Sequence, residues 1–433
     1  MAFTSEFYSR LADEEDARLC DDIADSACRE TPRSFTLIFF SYVLTKLGDA
    51  IASPKTTLAW MVASVGAPGW VLGFLVPIRE SGSMIPQLFI GSAIRRLAVR
   101  KWVWVFGSLG QCLCIAGLGL VALWLDGAAA GWAMLGLVAL FSLARGFSSV
   151  AAKDVLGKTI PRPRRGRLTG WSASAAGLVT VGIGVALMFP ALSDLNTTTL
   201  GVLLIGAGLM WLVAAVIYAQ VPEYRGETGG GRNALEALGR LRLLIDDRPF
   251  RRFVTTRALL MCSALSAPFY VAMAQGNTEA PAYLLGAFVA AAGIASLVSG
   301  PVWGRFADAS SRNVMVAAGL VTASIGILTF LIDRFVPDLS RTPWFLPLAY
   351  FVLSVAHSGV RVGRKTYVVN LATGNQRTDY VAISNTTIGI LLLLVGSVGA
   401  LTPLIGNAGV IGVLAIMGLG GAILGRQLPD AES

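Results

Sequence analysis

The sequence predicts an all-α membrane protein of about twelve helices, and three observations carry that prediction. Of 433 residues, 55% are hydrophobic and 14% charged, too little charge to cover a soluble surface of this size. Apolar runs near the ~20 residues that cross a bilayer recur along the chain, from about residue 35 to about 425. Lys and Arg gather in short clusters between alternate runs, the pattern of cytoplasmic loops. The alternation of a membrane barrel strand is absent. The formal charge of +9 lies in these clusters and does not describe a nucleic-acid-binding surface.

Taken in order, residues 1–33 ("ADEEDARLCDDIAD" at their centre) lack a basic start followed by an apolar core. They read as an acidic cytoplasmic tail and not as a signal peptide. A first six-helix unit covers 34–221, with clear spans at 102–125, 130–155, 168–190 and 199–221. A linker at 222–251 opens with "VPEYRGETGGGR", and its Leu235, Leu238 and Leu241 share one face of an interfacial helix. A second unit covers 252–426, with spans at 252–275, 281–303, 313–333, 344–368, 380–402 and 406–425, before a tail at 427–433. Basic clusters at 95–101, 158–167, 248–252, 304–312 and 361–377 alternate with connectors that carry no Lys or Arg, which places both termini in the cytoplasm.

The two units repeat each other. Lys153 and Arg165 precede the fifth span, and Lys365 and Arg377 precede its counterpart 212 residues later; Gly91 and Gly304 are 213 apart. A shared offset indicates internal duplication. The repeat settles the reading of "VPIRESGSMIP" at 76–86. If Gly304 ends a helix beginning near 281, then Gly91 ends one beginning near 68, and Arg79 and Glu80 lie inside that helix. "GAP" at 66–68 is then a turn, and the first helix is long and bent at Pro54.

Polar residues inside such helices are the functional candidates, because a charge within the bilayer is costly and is kept where it faces protein or water. Tyr42, Lys46, Asp49, Ser53 and Thr56 follow spacings of four, three, four and three along one face of the first helix. Glu80, Ser83 and Gln87 share a face of the second, with Arg79 about 100° away from Glu80. The fourth helix carries Arg145, Lys153 and Asp154, and the tenth carries His357, Arg361 and Lys365, the last two expected at the cytoplasmic mouth. Lys46, Lys55, Arg79, Arg145 and Lys153 outnumber Asp49, Glu80 and Asp154, so a cavity lined by them favours an anionic solute. Asp49 and Glu80 are the proton-carrying candidates, with His357 behind them. All five cysteines read as unpaired, and Cys112 and Cys114 fall on opposite helix faces. No metal-ligand cluster, Walker motif or nucleophile elbow occurs, so neither an enzyme nor a cofactor is expected.

"GSAIRRLAVRK" and "GRFADASSRN" resemble the G-x-x-x-D-R-x-G-R-K motif of the major facilitator superfamily, and "PRRGRLTG" at 163–170 is similar to that family's entry into its fifth helix. The second copy keeps Gly304, Asp308 and Arg312; the first keeps Gly91, Arg96, Arg100 and Lys101 but has Arg95 where the family has Asp. The resemblance spans about 34 to 425. It implies two pseudo-symmetric six-helix bundles around a central cavity, alternating access, and a monomer in a cell (inner) membrane that moves a small solute with protons. It also implies that each motif faces the helix entry of the opposite bundle. That gives Asp308 against the basic entry containing Arg165, and a sign-swapped contact of Arg95 with Asp379, beside Arg377. The G-x-x-x-G-P-x-x-G-G pattern of drug–proton antiporters is absent from 177–190. Multidrug or metabolite efflux, and a non-transporting role in lipid or pigment handling or membrane assembly, stay open as alternatives.

Overall fold

The computed structural model describes residues 25–94, 96–189, 196–226, 242–276, 283–371 and 376–429, with isolated positions in the N-terminal tail and at 228. The interfacial helix expected around Leu235–Leu241 lies outside the described residues, as does most of the acidic tail.

Twelve crossings are built. The first, α1, runs Thr31–Ile51 and resumes at Thr57–Ser64. Its break is the one expected at Pro54, whose ring nitrogen cannot donate; Ser53 O instead accepts from Leu58 N at 3.0 Å. The turn after it is the "GAP" segment, with Gly66 at φ 64°. The second, α2, runs Trp70–Met84 and, after a break at Pro86, Gln87–Ile94. Arg79 and Glu80 are therefore inside a helix, as the repeat predicts. There follow α3 (Lys101–Trp124), α4 (Gly127–Thr159), α5 (Arg162–Ala186) and α6 (Thr197–Ala219). The second half begins with α7, which is segmented into Arg248–Leu259, Cys262–Leu265 and Ala267–Gly276. It continues with α8 (Tyr283–Ala309), α9 (Ser311–Phe335), α10 (Phe345–Leu371), α11 (Gln376–Gly396) and α12 (Thr402–Gly425). Ten stretches of the described residues are long and apolar enough to cross a membrane. One of them, Ile383–Gly425, holds two crossings, and the twelfth crossing is α2, which its two charges and two prolines keep below that hydropathy.

Side-chain caps fix several starts: Asn196 Oδ1 accepts from Thr199 N at 2.8 Å, Asp247 Oδ1 from Phe250 N at 3.0 Å, and Ser310 Oγ from Asn313 N at 3.3 Å. Within the first bundle α3 packs on α6 and α4, and α1 on α6 and α5; in the second α9 packs on α12 and α10, and α7 on α12 and α11. Each pairing recurs six helices later. Between bundles the most extensive contacts are α5 with α8 and α2 with α11, which the same symmetry relates, and α1 also meets α7, where Gln275 Nε2 donates to Trp60 O at 3.2 Å.

Glycines set how close those two seams come. A Cβ on Gly286 would lie 2.6 Å from the Gly184 carbonyl, and a Cβ on Gly73 would lie 2.6 Å from the Gly396 carbonyl. Gly73 and Gly286 are repeat equivalents, as are Gly184 and Gly396, so one backbone-to-backbone contact has been built twice. Both lie toward the face opposite the termini. Toward the terminal face the α5–α8 seam parts: Gly166, Gly170, Gly300 and Gly304 have open space where a Cβ would stand. Among the described residues the bundles meet backbone to backbone on one face and are parted along α5 and α8 on the other.

Candidate functional site

Between the bundles lies a cavity of about 690 Å³ lined by α1, α2, α4, α5, α7, α8, α10 and α11. Both segment breaks in α1 and α7 fall beside it, and Ser53, Pro54 and Lys55 of the α1 break line its wall.

Asp49 is the centre of the first bundle's contribution. Arg79 Nη2 donates to its Oδ1 at 2.6 Å, and Arg145 Nη1 reaches both carboxylate oxygens at 2.5 Å. The Arg79 guanidinium also stacks over the Phe141 ring at 3.9 Å, which holds its plane. One carboxylate thus binds two arginines from α2 and α4, an arrangement that satisfies the acid and leaves a positive remainder. Lys46 is three residues before Asp49, a spacing at which the two can offset one another; the structure instead turns Lys46 away, its Nζ donating to Thr169 O at 3.0 Å and Ser172 Oγ at 2.9 Å on α5. In the second bundle Arg257 of α7 donates to Ser384 Oγ at 2.6 Å and Asn385 Oδ1 at 2.9 Å on α11. Ser172 and Ser384 are 212 apart, so the same cation-to-serine rung ties each bundle's first helix to its fifth.

Glu80 also lines the cavity, in the field of Lys55, Arg364 and Arg361. Among the described residues, none of Lys55, Arg361, Arg364 and Lys365 makes an ion pair with a carboxylate. Arg361 and Lys365 were expected at the mouth, and they line the central cavity instead. Arg364 was missed, although "RVGRK" places Arg361, Arg364 and Lys365 at i, i+3 and i+4 on one helical face. His357, one turn earlier, has Nδ1 3.0 Å from Ser263 Oγ, whose own proton goes to Leu260 O at 2.9 Å. The imidazole then donates from Nδ1 and keeps Nε2 as an acceptor.

Other sequence candidates lie elsewhere. Tyr42 packs in the aromatic cluster with Tyr218, and Gln87 follows the Pro86 break, so neither lines the cavity. Lys153 is exposed outside the lining. Asp154 pairs with Arg100 and, at 2.9 Å, with Lys158. Lys158 continues to the fully buried carboxylate of Glu223 at 3.1 Å, which accepts from the backbone N–H of Arg100 and, at 2.6 Å, of Lys101. Asp154 thus pins the terminal end of the first bundle through Arg100 and Lys158, and Glu223 does so at the start of α3, where unsatisfied N–H groups attract a carboxylate.

Of the motif residues, Arg165 donates to Ile160 O and Gly157 O, both at 2.8 Å, and closes the end of α4. Arg312 Nη1 reaches Leu428 O at 3.2 Å. Arg96 is exposed. Arg95 and the side chains of Asp308, Arg377 and Asp379 lie outside the described residues, and with them the two inter-bundle contacts expected there. Cys112, Cys114 and Cys262 are unpaired and buried. Cys28 corrects the reading of five free thiols: it is in a disulfide whose partner lies outside the described residues, a pairing that spacing alone does not reveal.

Twelve helical crossings among the described residues, in two symmetric bundles with a polar cavity between them, define a class, the all-α membrane proteins with a central site between two repeated bundles. No family model matches the chain. Over 358 residues it is 26% identical to multidrug resistance protein MdtG of Enterobacter lignolyticus (strain SCF1), covering 79% of this chain and 78% of the relative. The MdtG of Salmonella typhi is also 26% identical, with 79% and 81% covered. Among solved structures the xylose transporter XylE from E. coli, in an inward open conformation, superposes with a TM-score of 0.68 at 14% identity, covering 92% of this chain and 97% of that one. The nucleoside transporter NupG superposes with a TM-score of 0.67 at 11% identity, covering 90% and 98%. Together these relatives and structural neighbours support a membrane transporter of the major facilitator superfamily type.

Proposed function

We propose that the protein carries a small, hydrophilic organic anion across a membrane by alternating access. One observation supports this above the rest: among the described residues the cavity lining holds seven Lys and Arg residues, two carboxylates and no Phe, Tyr or Trp. Lys46, Lys55, Arg79, Arg145, Arg361, Arg364 and Lys365 face only Asp49 and Glu80. Such a surplus attracts anions and raises their local concentration. The alternating Lys and Arg clusters support cytoplasmic termini, which makes the open face cytoplasmic and the membrane a cell (inner) membrane. The reading is tested by thermal stability of purified protein against organic anions, sugars, cationic drugs and peptides. Anions raise the melting temperature; shifts confined to neutral or cationic ligands overturn the reading. Flux of the stabilising anion into proteoliposomes separates transport from a non-transporting role.

Efflux is the second reading, favoured by the relatives named for multidrug resistance. A described lining without Phe, Tyr or Trp supports anionic metabolites over aromatic drugs as its cargo. Deletion and overexpression strains, compared for drug susceptibility, decide between them. Proton coupling rests on Glu80, because Asp49 is occupied by two arginines. Glu80→Gln abolishes any pH dependence of flux in this reading, whereas an unchanged pH profile removes Glu80 from it.

A further inference from the structure

We infer that the protein is an obligatory anion exchanger, reorienting in either direction only while an anion occupies the cavity. The inference rests on the anion reading above, and it concerns what resets the carrier after release.

The bundles are parted on the terminal face, so closing that face must bring their cavity walls together. One wall carries Lys46, Lys55 and Arg145; the other carries Arg361, Arg364 and Lys365, and no described carboxylate of the second bundle lines it. Asp49 cannot relieve the contact, since Arg79 and Arg145 already hold it at 2.6 and 2.5 Å. Behind the second wall Arg257 is buried on the neutral partners Ser384 and Asn385, adding another cation without a counter-ion. In the open state water screens these charges. Occlusion replaces that water with protein, where like charges repel strongly and an uncompensated ion is costly.

Loss of protons does not provide an escape. Arginine stays charged in proteins, so if every lysine were neutral, Arg79, Arg145, Arg361 and Arg364 would still face two carboxylates. A proton on Glu80 removes one of those carboxylates and enlarges the surplus. An anion bound between the walls supplies the missing charge, and it does so on the outward and the return leg alike. The empty protein stays in the open state, and net movement of one anion follows the gradient of a counter-anion. A pH gradient alone does not drive it.

The test uses purified full-length protein in phosphatidylcholine and phosphatidylglycerol vesicles, with labelled inorganic phosphate, succinate and citrate as probes. Uptake is measured into vesicles preloaded with the same unlabelled anion and into vesicles without it, each with and without an imposed pH gradient. The expected result is uptake at least tenfold faster into preloaded vesicles, with the pH gradient unable to replace the internal anion. Comparable uptake into unloaded vesicles overturns exchange and leaves the anion reading standing. No uptake of any probe under either condition counts against the anion reading, and exchange falls with it. Arg361→Gln combined with Lys365→Gln lowers the surplus by two; the ratio of preloaded to unloaded uptake falls at least threefold. An unchanged ratio with uptake retained overturns the electrostatic cause.

Discussion

The two bundles share one backbone plan and differ in where they keep their acids. In the first, Asp49 binds two arginines in the cavity wall, and Asp154 and Glu223 bind Arg100 and Lys158 at the terminal end. In the second, Arg312 reaches Leu428 O and the Tyr367 hydroxyl donates to Pro429 O at 3.0 Å, while the terminal carboxylate of Asp247 accepts from the Tyr380 hydroxyl and, at 3.0 Å, from Phe250 N. The cavity face of α10 is cationic without an acid of its own. Duplicated architecture has thus been given unequal electrostatics, one half rigidified by ion pairs and the other left with charge to spend on a ligand. The comparison can be broken by experiments that remove either side of it.

The largest effect is expected at Asp49. Asp49→Asn leaves the buried Arg79 and the half-exposed Arg145 beside a neutral amide, which costs about 3 kcal/mol, the low end for breaking a buried pair because water reaches Arg145. Thermal unfolding in detergent should show a large drop, and adding Arg145→Gln should restore part of it by removing one orphaned cation. If the double variant melts no higher than Asp49→Asn alone, the two arginines do not depend on that carboxylate.

A smaller effect is expected at the seams. Gly184→Val and Gly396→Val each place a side chain against backbone of the opposite bundle, and overpacking of this kind costs about 1–3 kcal/mol. The strain acts only while the opposite face is closed, so it shifts the population toward closure of the terminal face. Labelling of a cysteine at Ser149, in the cavity wall, by a membrane-impermeant thiol reagent should fall in both variants. Equal loss in the two would show that the repeated contacts are energetically as well as geometrically equivalent.

At the terminal ends the halves should separate. Glu223→Gln weakens charge-assisted bonds to two backbone N–H groups and Lys158, worth about 1.5–3 kcal/mol. Arg312→Gln removes a charged donor from the Leu428 carbonyl in a more open setting, where water replaces part of the bond and the loss is about 1.5 kcal/mol. Melting temperatures of the two variants compare them directly. A larger loss at Arg312 would reverse the assignment of the first bundle as the pinned one.

Much of this was legible in the sequence because its evidence is local or periodic. Hydropathy marked ten spans, and the 212-residue offset placed Arg79 and Glu80 inside α2 when hydropathy alone left that stretch ambiguous. The polar face of α1 was legible for the same reason, since helical spacing is fixed at 3.6 residues per turn. Partner choice was not legible. Lys46 and Asp49 are three apart, and spacing suggested that they pair; each instead binds a different helix, because the packing of α1 against α5, α2 and α4 offers better geometry. Asp154 looked like a cavity acid, although its depth along α4 puts it at the end of the bundle. Arg364 was overlooked although the span at 344–368 covers it, because the basic run from Arg361 was read as the cytoplasmic mouth and not as a cavity wall on α10, which extends to Leu371.

The weakest expected effect concerns the motif itself, where the halves differ by a sign. The first copy has Arg95 where the second has Asp308. A motif facing the opposite bundle's helix entry should carry charge opposite to that entry. The entry to α5 is basic, with Arg164, Arg165 and Arg167, and the entry to α11 offers Asp379. We propose that Arg95 meets Asp379 when the terminal face closes. Exposed pairs contribute about 0.2–1 kcal/mol, so each single reversal, Arg95→Asp or Asp379→Arg, should slow exchange only a few-fold by destabilising the closed state. The double reversal recreates an attractive pair and should recover most of that loss. If it transports no better than either single variant, the sign of the first motif is not matched to its partner helix.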